Sequence, residues 1–235
     1  MSVMLGNAQT GTVGVNAGDW YKWDWNYDWS SDNESETMPS GMDFMMLMDW
    51  TNLSIIDVTG SIVTYTGTVH LKNGTEQTVE QPVTYDVNNR TDLSNLFFIS
   101  PNLGANDIAF SAGGEVVGDL MINETVSRTY PSGTRETNHI SFTNETTTNG
   151  KTEITSFDSY WDRSTGVMVE MVVTVTTYEG GYTTTVNMGM ILDESNVWVV
   201  PEFPTWIPIV IASIALVTVI TLYKRKLARI TTIRH

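Results

Sequence analysis

Three histidines, His70, His139 and His235, supply every imidazole in the chain, and there is no cysteine. Their separations match no zinc-ligand spacing, and disulfides, thiolate metal sites and thiol nucleophiles are excluded outright. No G-x-S-x-G elbow, P-loop or dinucleotide glycine pattern occurs. Pairs such as Asp24/Asp28 and Asp158/Asp162 are the residue type a glycosidase uses, but spacing along a chain does not give carboxylate separation in space. The run "DWSSDNESE", Asp28 to Glu36, crowds oxygens that suit weak calcium binding, without the glycine and terminal glutamate of an EF-hand loop. No catalytic residue, metal site or cofactor is expected, and the chain reads as a non-enzyme.

The residues best placed for binding are aromatic. In "YKWDWNYDW", Tyr21, Trp23, Trp25, Tyr27 and Trp29 occupy alternate positions, with Lys22, Asp24, Asn26 and Asp28 between them. A period of two puts all five rings on one face of a strand. Such a comb is a stacking platform for sugar rings with carboxylates beside it, or it fills the inside of a sheet. Each ring removes roughly 150 to 250 Å² from water when buried. A domain without cross-links needs that burial, so the expectation is core, with the five rings kept as a candidate ligand face.

The elements that would hold this comb are strands. "GSIVTYTGTVHLKNGTEQTVEQPVTYDV" predicts two strands joined at Asn73-Gly74, a dipeptide that accepts positive φ in a tight hairpin. Further turns fall at Pro131-Ser132-Gly133, Asn149-Gly150, "RSTG" and "EGG", with Thr-, Val- and Tyr-rich strands between them. "DFMMLMDW" predicts a short helical turn followed by a strand, and Thr91 to Gly118 predicts an irregular connection. The fold class expected is mainly β: an antiparallel meander forming a curved sheet, half-barrel or sandwich, plus one C-terminal transmembrane helix.

That helix is read from "FPTWIPIVIASIALVTVITLY", Phe203 to Tyr223, which contains no ionisable acid or base at neutral pH. At 1.5 Å per residue it spans roughly 31 Å, close to the hydrocarbon thickness of a bilayer. Trp206 and Tyr223 bracket it, and Lys224, Arg225 and Lys226 follow as a basic membrane stop. The formal net charge is -15, yet all 27 acidic residues lie at or before Glu202 and five of the 12 basic residues lie after Tyr223. This asymmetry predicts an acidic domain outside the membrane and a cytoplasmic C-terminus. It also excludes nucleic acid as a partner, since phosphates require a basic footprint.

The organisation expected is 1-12 as a signal-peptide remnant or disordered N-terminus, 13-198 as an extracellular β domain, 199-205 as a linker, 206-223 as the transmembrane helix and 224-235 as the basic tail. Gly6 and Ala8 stand as the small residues of a cleavage site whose apolar region would lie upstream. Six N-x-S/T sequons, at Asn33, Asn52, Asn73, Asn89, Asn123 and Asn144, become candidate glycosylation sites in that location.

"VVPEFPTW", an apolar span and "KRK", in that order, resemble the PEF-type C-terminal sorting or anchor signal of archaeal cell-surface proteins. The resemblance implies handling by an archaeosortase at Pro201, Glu202, Phe203 and Pro204; the further tail "LARITTIRH" departs from the usual pattern. More loosely, "YWDRSTGVMVEM" is similar to a hairpin of lipoprotein-carrier half-barrels. That likeness implies an apolar cavity lined by the comb with Met42, Met45, Met46 and Met48. The function expected is a membrane-anchored archaeal cell-surface protein for binding, adhesion or envelope structure, with a surface glycan, lipid or envelope protein as partner. The alternatives are a half-barrel carrier of a lipid or other apolar ligand, and a secreted carbohydrate-active hydrolase.

Overall fold

The computed structural model describes residues 12–38, 42–91, 95–113, 118–131 and 133–198. The sorting motif, the apolar span 206-223, the basic cluster and the first 11 residues lie outside the described residues. Among the described residues no helix is long and apolar enough to cross a membrane.

Twelve strands and one short helix follow in order: β1 (Trp20–Ser31), α1 (Asp43–Leu47), β2 (Met48–Thr59), β3 (Ile62–Leu71), β4 (Glu76–Thr78), β5 (Val83–Asp86), β6 (Ile108–Phe110), β7 (Leu120–Met121), β8 (Glu124–Tyr130), β9 (Gly133–Thr148), β10 (Lys151–Asp162), β11 (Met168–Glu179) and β12 (Tyr182–Ser195). Ten of the strands form one antiparallel sheet in the order β4-β3-β2-β1-β12-β11-β10-β9-β8, with β5 also beside β3; β6 and β7 make a separate small hairpin. The sheet is curved but not closed. Its first and last long strands, β1 and β12, pair in the middle, so the two ends of the domain meet there.

Turn chemistry accounts for most of the connections. Asn149 (φ 53°) and Gly150 (φ 81°) both adopt positive φ and join β9 to β10 as a tight hairpin, the geometry for which Asn-Gly is best suited. The strand expected after Asn73-Gly74 is divided in two, because Pro82 lies between β4 and β5 and has no N–H to donate to β3. "DFMMLMDW" does form a helical turn, α1, running directly into β2.

One face of the sheet is covered at one end by the connection between β5 and β8. Phe98, Ile99, Leu103, Ala109, Phe110 and Ile122 from that connection are buried with Tyr21, Trp23, Leu53, Val63, Trp161, Val167 and Leu192 of the sheet and its turns. Burying an apolar side chain of this size contributes about 1.5–3 kcal/mol. Two indole nitrogens carried inside are paired: Trp23 Nε1 donates to the Met168 carbonyl at 2.8 Å and Trp161 Nε1 to the Leu96 carbonyl at 2.8 Å. Backbone bonds from Ile99 N to Gly166 O and from Met168 N to Phe97 O, both 2.9 Å, stitch the connection onto the β10–β11 turn. Asp162 holds that turn, accepting from the Thr165 amide at 2.8 Å and from the Ser164 and Thr165 hydroxyls. Nearby, Arg135 packs 4.3 Å from the Trp198 ring and 3.7 Å from Asp162, and burial draws its guanidinium below its ordinary pKa.

Candidate functional site: two aromatic faces of one sheet

Directly paired strand residues point to the same side of a sheet, so the registers assign each aromatic ring to a face. The comb of β1 lies on the inner, core-bearing face and divides along its length. Tyr21 and Trp23 are fully buried, in contact with Trp198 and Phe97 respectively. Those two rings are core and are not open to a ligand. Trp25, Tyr27 and Trp29 continue along β1 opposite Met190, Met188 and Val186 of β12, and this apolar floor extends through Val173 to Phe157 and Phe142, whose rings stack at 5.1 Å. Trp25 and Trp29 are half-buried and Tyr27 is 9% exposed. Trp25 Nε1 donates to Thr51 Oγ1 at 2.7 Å, whereas Tyr27 Oη and Trp29 Nε1 are buried without a hydrogen-bond partner. The methionines expected to line a cavity differ in setting: Met48 is buried, Met42 and Met45 are half-buried, and Met46 is exposed on α1.

The outer face of the same strands carries a second aromatic pair. A polar row crosses five strands as Glu194, Lys22, Asn52, Thr68 and Thr78, each residue directly opposite the next. Trp20 flanks this row on one side and Trp50 on the other, four residues of register apart, which is roughly 13 Å along the strands. Both indoles are half-buried, as Trp25 and Trp29 are on the other face. With Lys22, Asn52, Thr68, Glu76 and Glu194 they line a trough of about 370 Å³.

Trp50 is fixed from behind. Its ring stacks on His70 at 4.8 Å and 3°, and His70 Nδ1 lies 3.2 Å from Asp49 Oδ2. Lys22 Nζ lies 5.7 Å from the Trp50 ring centroid, 2.8 Å from Glu194 and 3.5 Å from Asp193. The hydrogen bond to Glu194 raises the Lys22 pKa, and the same bond lowers that of Glu194. Burial raises the carboxyl of the adjacent Asp24, with the negative charge of Asp193 adding to it. At the start of β1 the Trp20 amide donates to Asn196 Oδ1 at 2.8 Å, which ties this end of the trough to the end of β12. In the floor, Asn52 Oδ1 accepts from Ser54 Oγ at 3.2 Å, and the Thr68 and Thr78 hydroxyls lie 3.0 Å apart.

Neither Trp20 nor Trp50 belongs to the sequence-read ligand face. The signal that marks them is phase: Trp20 alternates against Tyr21 and Trp23, and Trp50 against Thr51, Leu53 and Ile55, so both fall on the polar side of their strands.

Several of the other polar groups read from the sequence are held in protein contacts. Asp24 and Asp28 both lie on the outer side of β1, while Asp162 is consumed by its turn and Asp158 Oδ1 lies 2.7 Å from His139 Nε2. His139 also stacks on Tyr160 at 4.3 Å, and Arg128 lies 3.9 Å from that same ring and 2.7 Å from Glu170. In the acidic loop after β1, Asp32 Oδ1 accepts from the Thr183 amide and Glu36 Oε2 accepts from the Ser31 and Thr184 hydroxyls. Among the described residues no group of three or more His, Asp or Glu side chains is placed to hold a metal ion. Of the sequons, Asn73, Asn89, Asn123 and Asn144 are exposed and Asn33 is half-buried in a turn, whereas Asn52 stands in the floor of the trough.

The sequence matches no protein-family model and no curated protein. Among solved structures the chain is similar to a presumed lipoprotein of Parabacteroides distasonis ATCC 8503, at 11% identity and a TM-score of 0.40 over 80% of this chain and 100% of that one. It is also similar to Rv2717c of M. tuberculosis, at 9% identity and a TM-score of 0.19 over 77% of this chain and 94% of that one.

Proposed function

We propose that this chain is a single-pass, membrane-anchored protein of the archaeal cell surface whose acidic β domain stands outside the membrane and binds an envelope partner through the outer-face trough. The observation that carries the binding role is the pair of half-buried tryptophans, Trp20 and Trp50, on the far side of a sheet whose inner face already holds the core. Indoles are costly to leave in water, and a pair of them rimming a polar floor is the composition of a contact surface rather than of a solvated face. The anchor rests on the apolar span and the basic cluster after it, and Pro201 to Pro204 is the segment an archaeosortase would process.

The test uses intact cells carrying the full-length chain. External protease is expected to remove the domain, and the Trp20→Ala/Trp50→Ala double variant is expected to lower retention of the chain on isolated envelope material at least tenfold. A domain protected from external protease contradicts the topology; retention unchanged in the double variant contradicts the trough.

One observation favours a second reading, a carrier of a lipid or other apolar ligand. The far half of the inner face presents Trp25, Tyr27 and Trp29 beside Met188, Val186 and Phe157, with two buried donors lacking acceptors. Lipid that co-purifies stoichiometrically with the chain and is lost in Trp29→Ala supports this reading; a lipid-free chain removes it.

A further inference from the structure

We infer that the trough between Trp20 and Trp50 is a binding site for a neutral glycan. This rests on reading the trough as the contact surface and names the chemistry of what it holds. A sugar ring has an apolar C–H face and an edge of hydroxyls that both donate and accept. The trough offers a matching pair of surfaces: the Trp20 and Trp50 indoles, the second with His70 stacked against it and the Lys22 ammonium 5.7 Å from its centroid, and a polar lining of the Asn52 amide, the Thr68 hydroxyl and the Glu76 and Glu194 carboxylates. With the two rings roughly 13 Å apart along the strands, a ligand touching both is an extended oligosaccharide rather than a single sugar. Trp50 is already clamped by His70 and Asp49, so little side-chain freedom is lost when it is covered.

Charge and backbone geometry separate this ligand from its competitors. One ammonium, Lys22, stands among five carboxylates, Asp24, Asp49, Glu76, Asp193 and Glu194, and is itself engaged by two of them. An anionic polymer is therefore repelled. A peptide binding as an added strand requires a free sheet edge; the floor of the trough lies on β1, β2 and β3, paired on both sides at this level, and the edge beyond it, β4, is only three residues long. An acyl chain laid in the trough would strip water from Asn52, Thr68 and Glu76 without replacing its hydrogen bonds.

Retention of the full-length chain on envelope material treated in separate portions with protease, with lipid-extracting solvent and with periodate tests this, because periodate cleaves vicinal diols whatever the sugar. Retention is expected to survive protease and solvent, to fall at least tenfold after periodate, and to be unaffected by excess uronic-acid polymer. Trp50→Ala and Trp20→Ala are expected to mimic the periodate loss, Trp50→Phe to recover part of it, and Asn52→Ala to weaken retention severalfold with an unchanged near-UV spectrum. Retention that survives periodate but falls after protease or solvent overturns the glycan while leaving the trough a contact surface. Competition by the uronic-acid polymer overturns the neutral assignment. Retention untouched by any of the tryptophan variants overturns the trough itself.

Discussion

On the inner face of β1, Tyr21 and Trp23 are sealed against Trp198 and Phe97, while on its outer face Trp20, with Trp50 on the neighbouring strand, is only half-buried. The two sets of rings have similar chemistry and lie within four residues of one another along β1 and its partner. What separates them is whether another part of the chain lies on top. Residues 87–123 supply Phe98, Phe110 and Ile122 to one face, and the outer face has the polar row of Glu194, Lys22, Asn52, Thr68 and Thr78 instead. Aromatic content therefore marks a strand as energetically important without saying whether the importance is to stability or to binding.

The largest effect that distinguishes the faces is on stability. Trp23→Ala removes a fully buried indole and its hydrogen bond to Met168, and a loss of about 3–5 kcal/mol is expected. Trp20→Ala is expected to cost less, about 1–2 kcal/mol, since its ring is only half-buried. Denaturant unfolding of the full-length chain in detergent micelles checks both values, and equal losses would erase the distinction. Binding should show the reverse order, with Trp20→Ala and Trp50→Ala weakening retention tenfold or more. His70→Ala is expected to weaken it less, because it leaves the Trp50 ring present but unclamped.

Alkali sharpens the contrast from the inner side. Burial raises the phenol of Tyr21, with the charge of Asp19 adding to it, and burial together with Glu170 raises that of Tyr130. A group whose folded pKa is raised contributes stability fully present below its unfolded value and lost as pH rises. Stability is therefore expected to hold up to the ordinary tyrosine range near 10.0 and to fall above it, with Tyr21 and Tyr130 ionising only as the domain unfolds. Tyrosinate absorbance followed alongside the denaturation midpoint reads this directly; full ionisation of all tyrosines in the folded chain would contradict the burial.

The smallest expected effects are on the outer face. Lys22 lowers the Glu194 carboxyl, so that contribution is present above its ordinary value of 4.5 and lost as pH falls. Glu194 is exposed, so the loss should be slight and should vanish in high salt. Asn52, in the trough floor and mid-strand, is expected to remain unmodified while the exposed Asn73, Asn89, Asn123 and Asn144 are available for glycosylation; glycopeptide mass spectrometry of the chain from its own cells decides this.

Much of the sheet is legible in the sequence. The alternation in "YKWDWNYDW" correctly places five rings on one side of β1, and Asn149-Gly150 and the turn held by Asp162 end strands where their dihedral preferences require. Parity along a strand, however, does not name the neighbour across it. The β1–β12 pairing joins residues more than 150 positions apart, so neither the division of the comb at Trp25 nor the trough is written in any local stretch. The trough draws on segments around residues 20, 50, 70 and 194, and only the long-range register brings them together. Pro82 stands in the sequence, but its division of one strand into two does not follow from it alone, because that depends on which side of the strand faces β3.

The most direct measurement is the indole ¹⁵N–¹H spectrum of the full-length chain, ¹⁵N-labelled at its eight tryptophans, recorded with and without the envelope glycan fraction. Only the signals of Trp20 and Trp50 are expected to move, with Trp23 and Trp161 unchanged in the core. Movement confined to Trp25 and Trp29, or none at all, would contradict the assignment of the outer face to binding.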